Sequence, residues 1–118
     1  MDNEIAVVTL SALAQPTRLE VFRLLVRSEP DGLPAGEIAR KLDVPHNTMS
    51  AHLAILSRSG LVSSEKQSRS IIYRIQLTCV RELIVYLLRD CCAGKPELCA
   101  PLIADLSPCS VSDGAACA

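Results

Sequence analysis

At Gly60 the hydrophobic period of the chain changes from that of a helix to that of a strand, and this switch restricts the folds open to it. Before it, Met49, Leu53 and Leu56 recur at i, i+4 and i+7, the spacing of one buried helix face. After it, Ile71, Tyr73, Ile75 and Leu77 alternate with Ile72, Arg74 and Gln76, the pattern of a half-buried strand. The helix runs from Pro45 or His46 to about Ser59, and Gly60 ends it in the C-cap manner. Upstream, Pro34 to Leu42 reads as a second short helix with Ile38, Ala39 and Leu42 inward. Asp43-Val44-Pro45 separates the two, because a residue before proline avoids the helical region. Leu61 to Lys66 is the partner strand, and Gln67-Ser68-Arg69-Ser70 is the turn of a basic-tipped hairpin.

The flanks are helical. Residues 5–14 are apolar on more than one face, and such a helix must be covered, here by a second subunit. Pro16 opens the next helix at its first turn, with Leu19, Phe22, Leu25 and Val26 as its stripe, and Glu29-Pro30-Asp31-Gly32 stops it. From Thr78 to about Cys92 two rows, Cys79-Leu83-Leu87-Cys91 and Val80-Ile84-Leu88-Cys92, mark a last helix that Gly94 and Pro96 terminate. The fold expected is mainly α: about five helices plus a two-stranded β-hairpin, assembled as a homodimer. Residues 1–92 form the folded domain, and 93–118 a cysteine-containing, partly flexible segment with few large apolar groups after Leu106. With 118 residues, three aromatics and no Trp, the core is a small Leu/Ile/Val/Ala one. No apolar run reaches the roughly 18 residues a membrane span needs, and the acidic Met1-Asp2-Asn3-Glu4 start lacks the cationic opening of a signal peptide. A cytoplasmic protein without membrane contact is expected.

Net charge is −1, but it is unevenly spread. Residues 40–75 carry Arg40, Lys41, Arg58, Lys66, Arg69 and Arg74 against Asp43 and Glu65, while acidic groups prevail on either side. A basic centre in a helix–turn–helix–hairpin order is the pattern of a winged helix-turn-helix that binds double-stranded DNA. Its second helix enters the major groove by its N-terminal residues. Here these are His46, Asn47, Thr48 and Ser50, with His52 a turn on, at a helix start whose N–H groups also favour phosphate. Arg58, Lys66 and Arg69 are the candidates for backbone phosphates, contacts that position without specifying sequence. Tyr73 reads as a core or wing-packing residue, and Arg18, Arg23 and Arg27 as surface groups.

The run Ser50-x-His52-Leu53-x-x-Leu56-x-x-x-Gly60-Leu61-Val62 resembles the recognition helix of the ArsR/SmtB family of metalloregulatory repressors. Ala14-Gln15-Pro16-Thr17-Arg18-Leu19 is similar to that family's entry into its second helix, and the hairpin ending in Tyr73 to its wing. The resemblance covers about residues 10–90. It implies a homodimer packed through its first and last helices and bound to an operator with two half-sites.

Six cysteines are a surplus for a cytosolic chain, where thiols stay reduced and metal binding or redox sensing gains weight over disulfides. Cys91, Cys92 and Cys99 stand close in sequence, and thiolates select soft ions. Trivalent arsenic or antimony takes three sulfurs, whereas zinc usually takes four ligands. Adjacent residues on a helix point about 100° apart, so Cys91 and Cys92 converge best where the helix frays, near Gly94 and Pro96. The step from Cys92 to Cys99 spans at most about 25 Å and can fold back. Cys91 and Cys92 also continue the apolar stripes, where a thiol is simply a small buried hydrophobe. Cys79 reads as core, and Cys109 and Cys117 as spare thiols or a fourth ligand.

The chain lacks the Cys-x-Cys that the family's best-known arsenic sensors carry in the first helix of the DNA-binding pair, since residues 33–42 contain no Cys. It is similar instead to members with a vicinal pair and a third Cys after the last helix. The Asp/His pattern of the family's zinc sensors is absent from that helix. The expectation is a repressor, not an enzyme, released from its operator by arsenite or antimonite and holding no catalytic cofactor. Methylated arsenic, zinc or cadmium, and oxidation of the vicinal thiols are the alternatives. A thiol oxidoreductase or arsenic-reducing enzyme lacks a Cys-x-x-Cys, a phosphate loop and a general base beside a cysteine.

Overall fold

The computed structural model describes residues 1–89 and 100–106. They fall in two compact units, Met1–Leu83 and the residues from Ile84 onward. The first unit opens with α1 (Asn3–Leu13), whose N-cap Asp2 accepts from the Ile5 N–H through Oδ1 at 2.9 Å. Next comes α2 (Pro16–Arg27), with Pro at its start and the Gln15 side chain capping the Arg18 N–H at 2.8 Å. The pair α3 (Ala35–Leu42) and α4 (His46–Arg58) follows, and α5 (Leu77–Leu88) begins in the first unit and crosses into the second. The sheet contains β1 (Leu33–Pro34), β2 (Val62–Gln67) and β3 (Ser70–Ile75) in the order β1-β3-β2, all antiparallel. Val62 faces Ile75 and Gln67 faces Ser70, so Ser68 and Arg69 form the tip, with Ser68 at a left-handed φ of 56°.

The winged helix-turn-helix expected from the period switch is present. The sheet has a third strand that the sequence pattern does not announce: Leu33 pairs with Tyr73 and Pro34 with Ile72. Two residues are too few to show alternation, and Pro34, without an N–H to donate, is tolerated there because β1 is an edge strand. A further helix, α6 (Ala100–Leu106), lies in the segment where no helix is expected from sequence. The continuation of the last helix to Cys92 falls outside the described residues.

The core is formed by Val21, Leu25, Ile38, Met49, Leu53, Leu56 and Leu61, all fully buried. Burying each such side chain stabilises the fold by about 1.5–3 kcal/mol. On α2 the buried ridge is Val21 and Leu25, i and i+4, with Phe22 half-buried. Leu19 and Val26, expected inward, are 46% and 44% exposed. Their stripe at i, i+3, i+6, i+7 drifts around a 3.6-residue helix, so its ends leave the face that α3 and α4 cover. On α1 the inward positions are the small Ala6, Thr9 and Ala12, while Ile5, Val7, Val8 and Leu10 are exposed. In the second unit, Ile84, Val85 and Leu87 of α5 are exposed, and the Arg89 guanidinium stacks on the Tyr86 ring, 5.4 Å from its centroid. Among the described residues no helix is long and apolar enough to cross a membrane.

Candidate nucleic-acid interface

The placement of α4 is set by the turn between α3 and α4. Asp43 adopts a left-handed φ of 54°, which ends α3, and the Val44 N–H donates back to the Ala39 carbonyl at 3.0 Å. Pro45 then supplies an extended N-cap, and its carbonyl accepts the first α4 hydrogen bond, from Met49 at 2.9 Å. With Met49, Leu53 and Leu56 locked in the core, the rotation of α4 about its axis is fixed. The opposite face at its N-terminal end is solvent-facing and presents His46, Asn47, Thr48 and Ser50. The Asn47 side-chain oxygen accepts from the Thr48 N–H at 2.9 Å, and the Ser50 hydroxyl donates to the His46 carbonyl at 3.1 Å. Exposed amide, imidazole and hydroxyl groups at a helix start are the donor–acceptor set that reads base edges.

The other candidates divide. Lys66 and Arg69 are exposed on β2 and at the tip. Arg58 is exposed at the opposite end of α4, where it lines a groove with Val7, Val8 and Ser11 of α1. His52 is half-buried, with Nδ1 3.4 Å from Nη1 of Arg18. Two of the six central basic residues are engaged in ion pairs: Arg74 with Glu29 at 3.3 Å and Arg40 with Glu37 at 3.5 Å. Tyr73 is half-buried against the core, as its reading as a packing residue requires.

Arg18 is the residue that sequence reasoning undervalues. Read as a surface group, it is instead part-buried and joins three helices. The available signal is its place in the first turn of a helix that follows α1 closely, within reach of the unpaired carbonyls at the end of α1. On α5, burial first and the Glu82 carboxylate second push the half-buried Cys79 thiol up from its ordinary range. Cys91, Cys92 and Cys99 lie outside the described residues. Among the described residues no group of three or more His, Cys, Asp or Glu side chains could hold a metal ion.

A helix-turn-helix domain family matches residues 13–65, which span α2 to β2. The transcriptional activator HlyU of Vibrio cholerae is 36% identical over 90 residues, covering 76% of this chain and 81% of that protein. A biofilm growth-associated repressor of Agrobacterium fabrum is 32% identical over 96 residues, 81% of this chain and 79% of that protein. The structure of an ArsR-like transcriptional regulator from Rhodococcus sp. RHA1 superposes with a TM-score of 0.68 at 29% identity, covering 82% of this chain and 89% of that one. These proteins are transcriptional regulators, not enzymes.

Proposed function

We propose that this chain, which belongs to the ArsR/SmtB family of winged-helix transcriptional regulators, is a homodimeric repressor released from operator DNA by trivalent arsenic. The observation that carries the DNA-binding part is the orientation of α4: its apolar side is buried and His46, Asn47, Thr48 and Ser50 are exposed at its start. These four read base edges in the major groove, while Lys66 and Arg69 on the wing and Arg58 at the far end of α4 hold phosphates. The exposed apolar face of α1 supports dimerisation, since Ile5, Val7, Val8 and Leu10 would otherwise stay in water. Two copies set two α4 helices against half-sites about 34 Å apart, one helical turn of DNA.

The effector reading rests on residues outside the described ones and is supported by their chemistry and spacing. Cys91, Cys92 and Cys99 supply three soft thiolates, the number that arsenite or antimonite takes. Closing three thiolates on one ion ties Cys99 back to the Cys91–Cys92 pair and shifts the dimer away from the spacing that fits two half-sites. Allosteric coupling is typically about 1–3 kcal/mol, roughly 5–150-fold, and by linkage DNA weakens arsenic binding by the same factor.

The test is fluorescence anisotropy of the reduced protein on its own upstream DNA with added arsenite, for wild type and Cys92→Ser. Release of wild type but not of the variant is the expected result. Binding by both without response to arsenite leaves the DNA reading standing and refutes the arsenic one.

A further inference from the structure

Arg18 occupies a position that no DNA contact explains. Its Nε donates to the Ala12 carbonyl at 2.6 Å and its Nη2 to the Ser11 carbonyl at 3.5 Å, both in the last turn of α1. Its own N–H is capped by Gln15 at the start of α2. The remaining Nη1 lies 3.4 Å from Nδ1 of His52, in the middle of α4. Arg18, in the first turn of α2, therefore joins the end of α1 to the reading helix through one planar guanidinium. A guanidinium only donates, so a hydrogen bond here takes Nδ1 of His52 as its acceptor.

We infer that Arg18 and His52 are positioning residues for DNA recognition: together they tie the reading helix to α1 and so fix its placement against the DNA. This inference rests on the DNA-binding reading above. Met49, Leu53 and Leu56 set the rotation of α4 through apolar burial, which is non-directional. The hydrogen bond from an arginine anchored on two backbone carbonyls adds a direction. Because α1 also carries the exposed apolar face, the tie relays the placement of one subunit to the helix that its own half-site meets. His52 thus acts through Arg18 rather than on a base.

The test compares His52→Asn, whose Oδ1 takes the place of Nδ1 and still accepts from Arg18, with His52→Leu, which keeps bulk but accepts nothing. Arg18→Lys keeps the charge but loses the fork that reaches both α1 and α4. Affinity for upstream DNA is measured over a range of salt concentrations, with circular dichroism as the check on folding. The expected result is near-wild-type binding by His52→Asn and about five-fold weaker binding by His52→Leu and by Arg18→Lys. The salt dependence stays unchanged for all three, because no phosphate contact is lost. The Arg18→Lys/His52→Leu double variant should be no weaker than either single one, the non-additivity of a shared contact. Additive losses, or a His52→Asn as weak as His52→Leu, overturn the inference and make His52 a direct reader. If wild type itself does not bind the DNA, the DNA-binding reading falls instead. The tie is then decided by the same double-mutant cycle in urea unfolding, where zero coupling overturns it.

Discussion

Gly32 sits where the turn after α2 meets the sheet, and its replacement by alanine separates two costs that are usually entangled. Its φ is +73°, and a Cβ there would overlap Arg74 Cγ, fall 2.5 Å from the Tyr73 carbonyl oxygen and 2.9 Å from Ile72 Cγ2. The carbonyl cannot retreat without disturbing β3, where Tyr73 pairs with Leu33 and Ser64. Nor is the arginine free to swing away, since Glu29 holds it at 3.3 Å. Gly60 has a comparable φ of +89°, but a Cβ there meets only Cys79 Sγ at 3.6 Å, an ordinary contact. A left-handed backbone costs a non-glycine residue about 1–2 kcal/mol, and the stiffer unfolded chain returns about 0.4–1 kcal/mol. Gly60→Ala should therefore lose about 1 kcal/mol. Gly32→Ala adds an overpacking cost of about 1–3 kcal/mol, for a total near 3 kcal/mol. At about 5 °C per kcal/mol for a domain of this size, thermal melts in reductant should fall by about 15 °C for Gly32→Ala and about 5 °C for Gly60→Ala. Gly36→Ala, where a Cβ within α3 meets nothing inside 4 Å, should instead stabilise by about 0.5–1 kcal/mol. Equal losses at Gly32 and Gly60 would mean that backbone conformation alone sets the cost and that the packing argument is wrong.

Other outcomes follow from the same structure. Val8→Glu places a charge on the exposed face of α1, where Val8 is 57% exposed. It should convert a dimer to monomers in analytical ultracentrifugation while the monomer keeps its helical content. Ser59 is nearly buried, and its hydroxyl donates to the Leu56 carbonyl at 2.7 Å while accepting from the Leu61 N–H at 3.4 Å. Ser59→Ala should cost about 1–3 kcal/mol in urea unfolding, since buried groups lose their partner. The Cys79 thiol is pushed up by burial and then by Glu82, so the folded chain keeps this proton where the unfolded chain has lost it. Its contribution to stability is present below the ordinary thiol range and declines as pH rises through and above it. Urea unfolding on either side of that range should show wild type losing more stability than Cys79→Ala, and parallel pH profiles refute this.

How much of this was legible in the sequence depended on the period of each segment. The α3–α4 pair and the β2–β3 hairpin are spelled out by a 3.6-residue period that gives way to a two-residue one at Gly60, and their bounds fall within a residue or two of expectation. The Asp43-Val44-Pro45 break is legible because proline restricts its predecessor. β1 is not legible, because Leu33–Pro34 has no alternation to show and exists only through its pairing with β3. The burial of α2 is only half legible: Leu25 is inward as read, but Val21 replaces Leu19 and Val26, a choice made by neighbouring helices. The same holds for the site. His46, Asn47, Thr48 and Ser50 can be read from their place at a helix start, whereas the contact of Arg18 with His52 spans 34 residues and leaves no local trace.

The charge of the central segment needs the largest revision, and it yields a number. By sequence, residues 40–75 offer six cations to DNA. In the fold Arg74 is paired with Glu29 at 3.3 Å and Arg40, on an exposed helix face, with Glu37 at 3.5 Å. Of the exposed remainder, Arg58, Lys66 and Arg69 are assigned to phosphates, six contacts in a dimer. Each phosphate neutralised on duplex DNA contributes about −0.9 to the slope of log K against log salt, so a dimer should show about −5. A monomer, with half the contacts, should show about −3. Replacing Lys66 or Arg69 by alanine removes two contacts per dimer and should lower the slope by about 2, with nearly equal loss on specific and random DNA. Asn47→Ala should leave the slope alone and weaken only the specific complex, because a base-edge contact releases no counterion. A slope that changes for Asn47→Ala and not for Arg69→Ala would invert the roles of α4 and the wing.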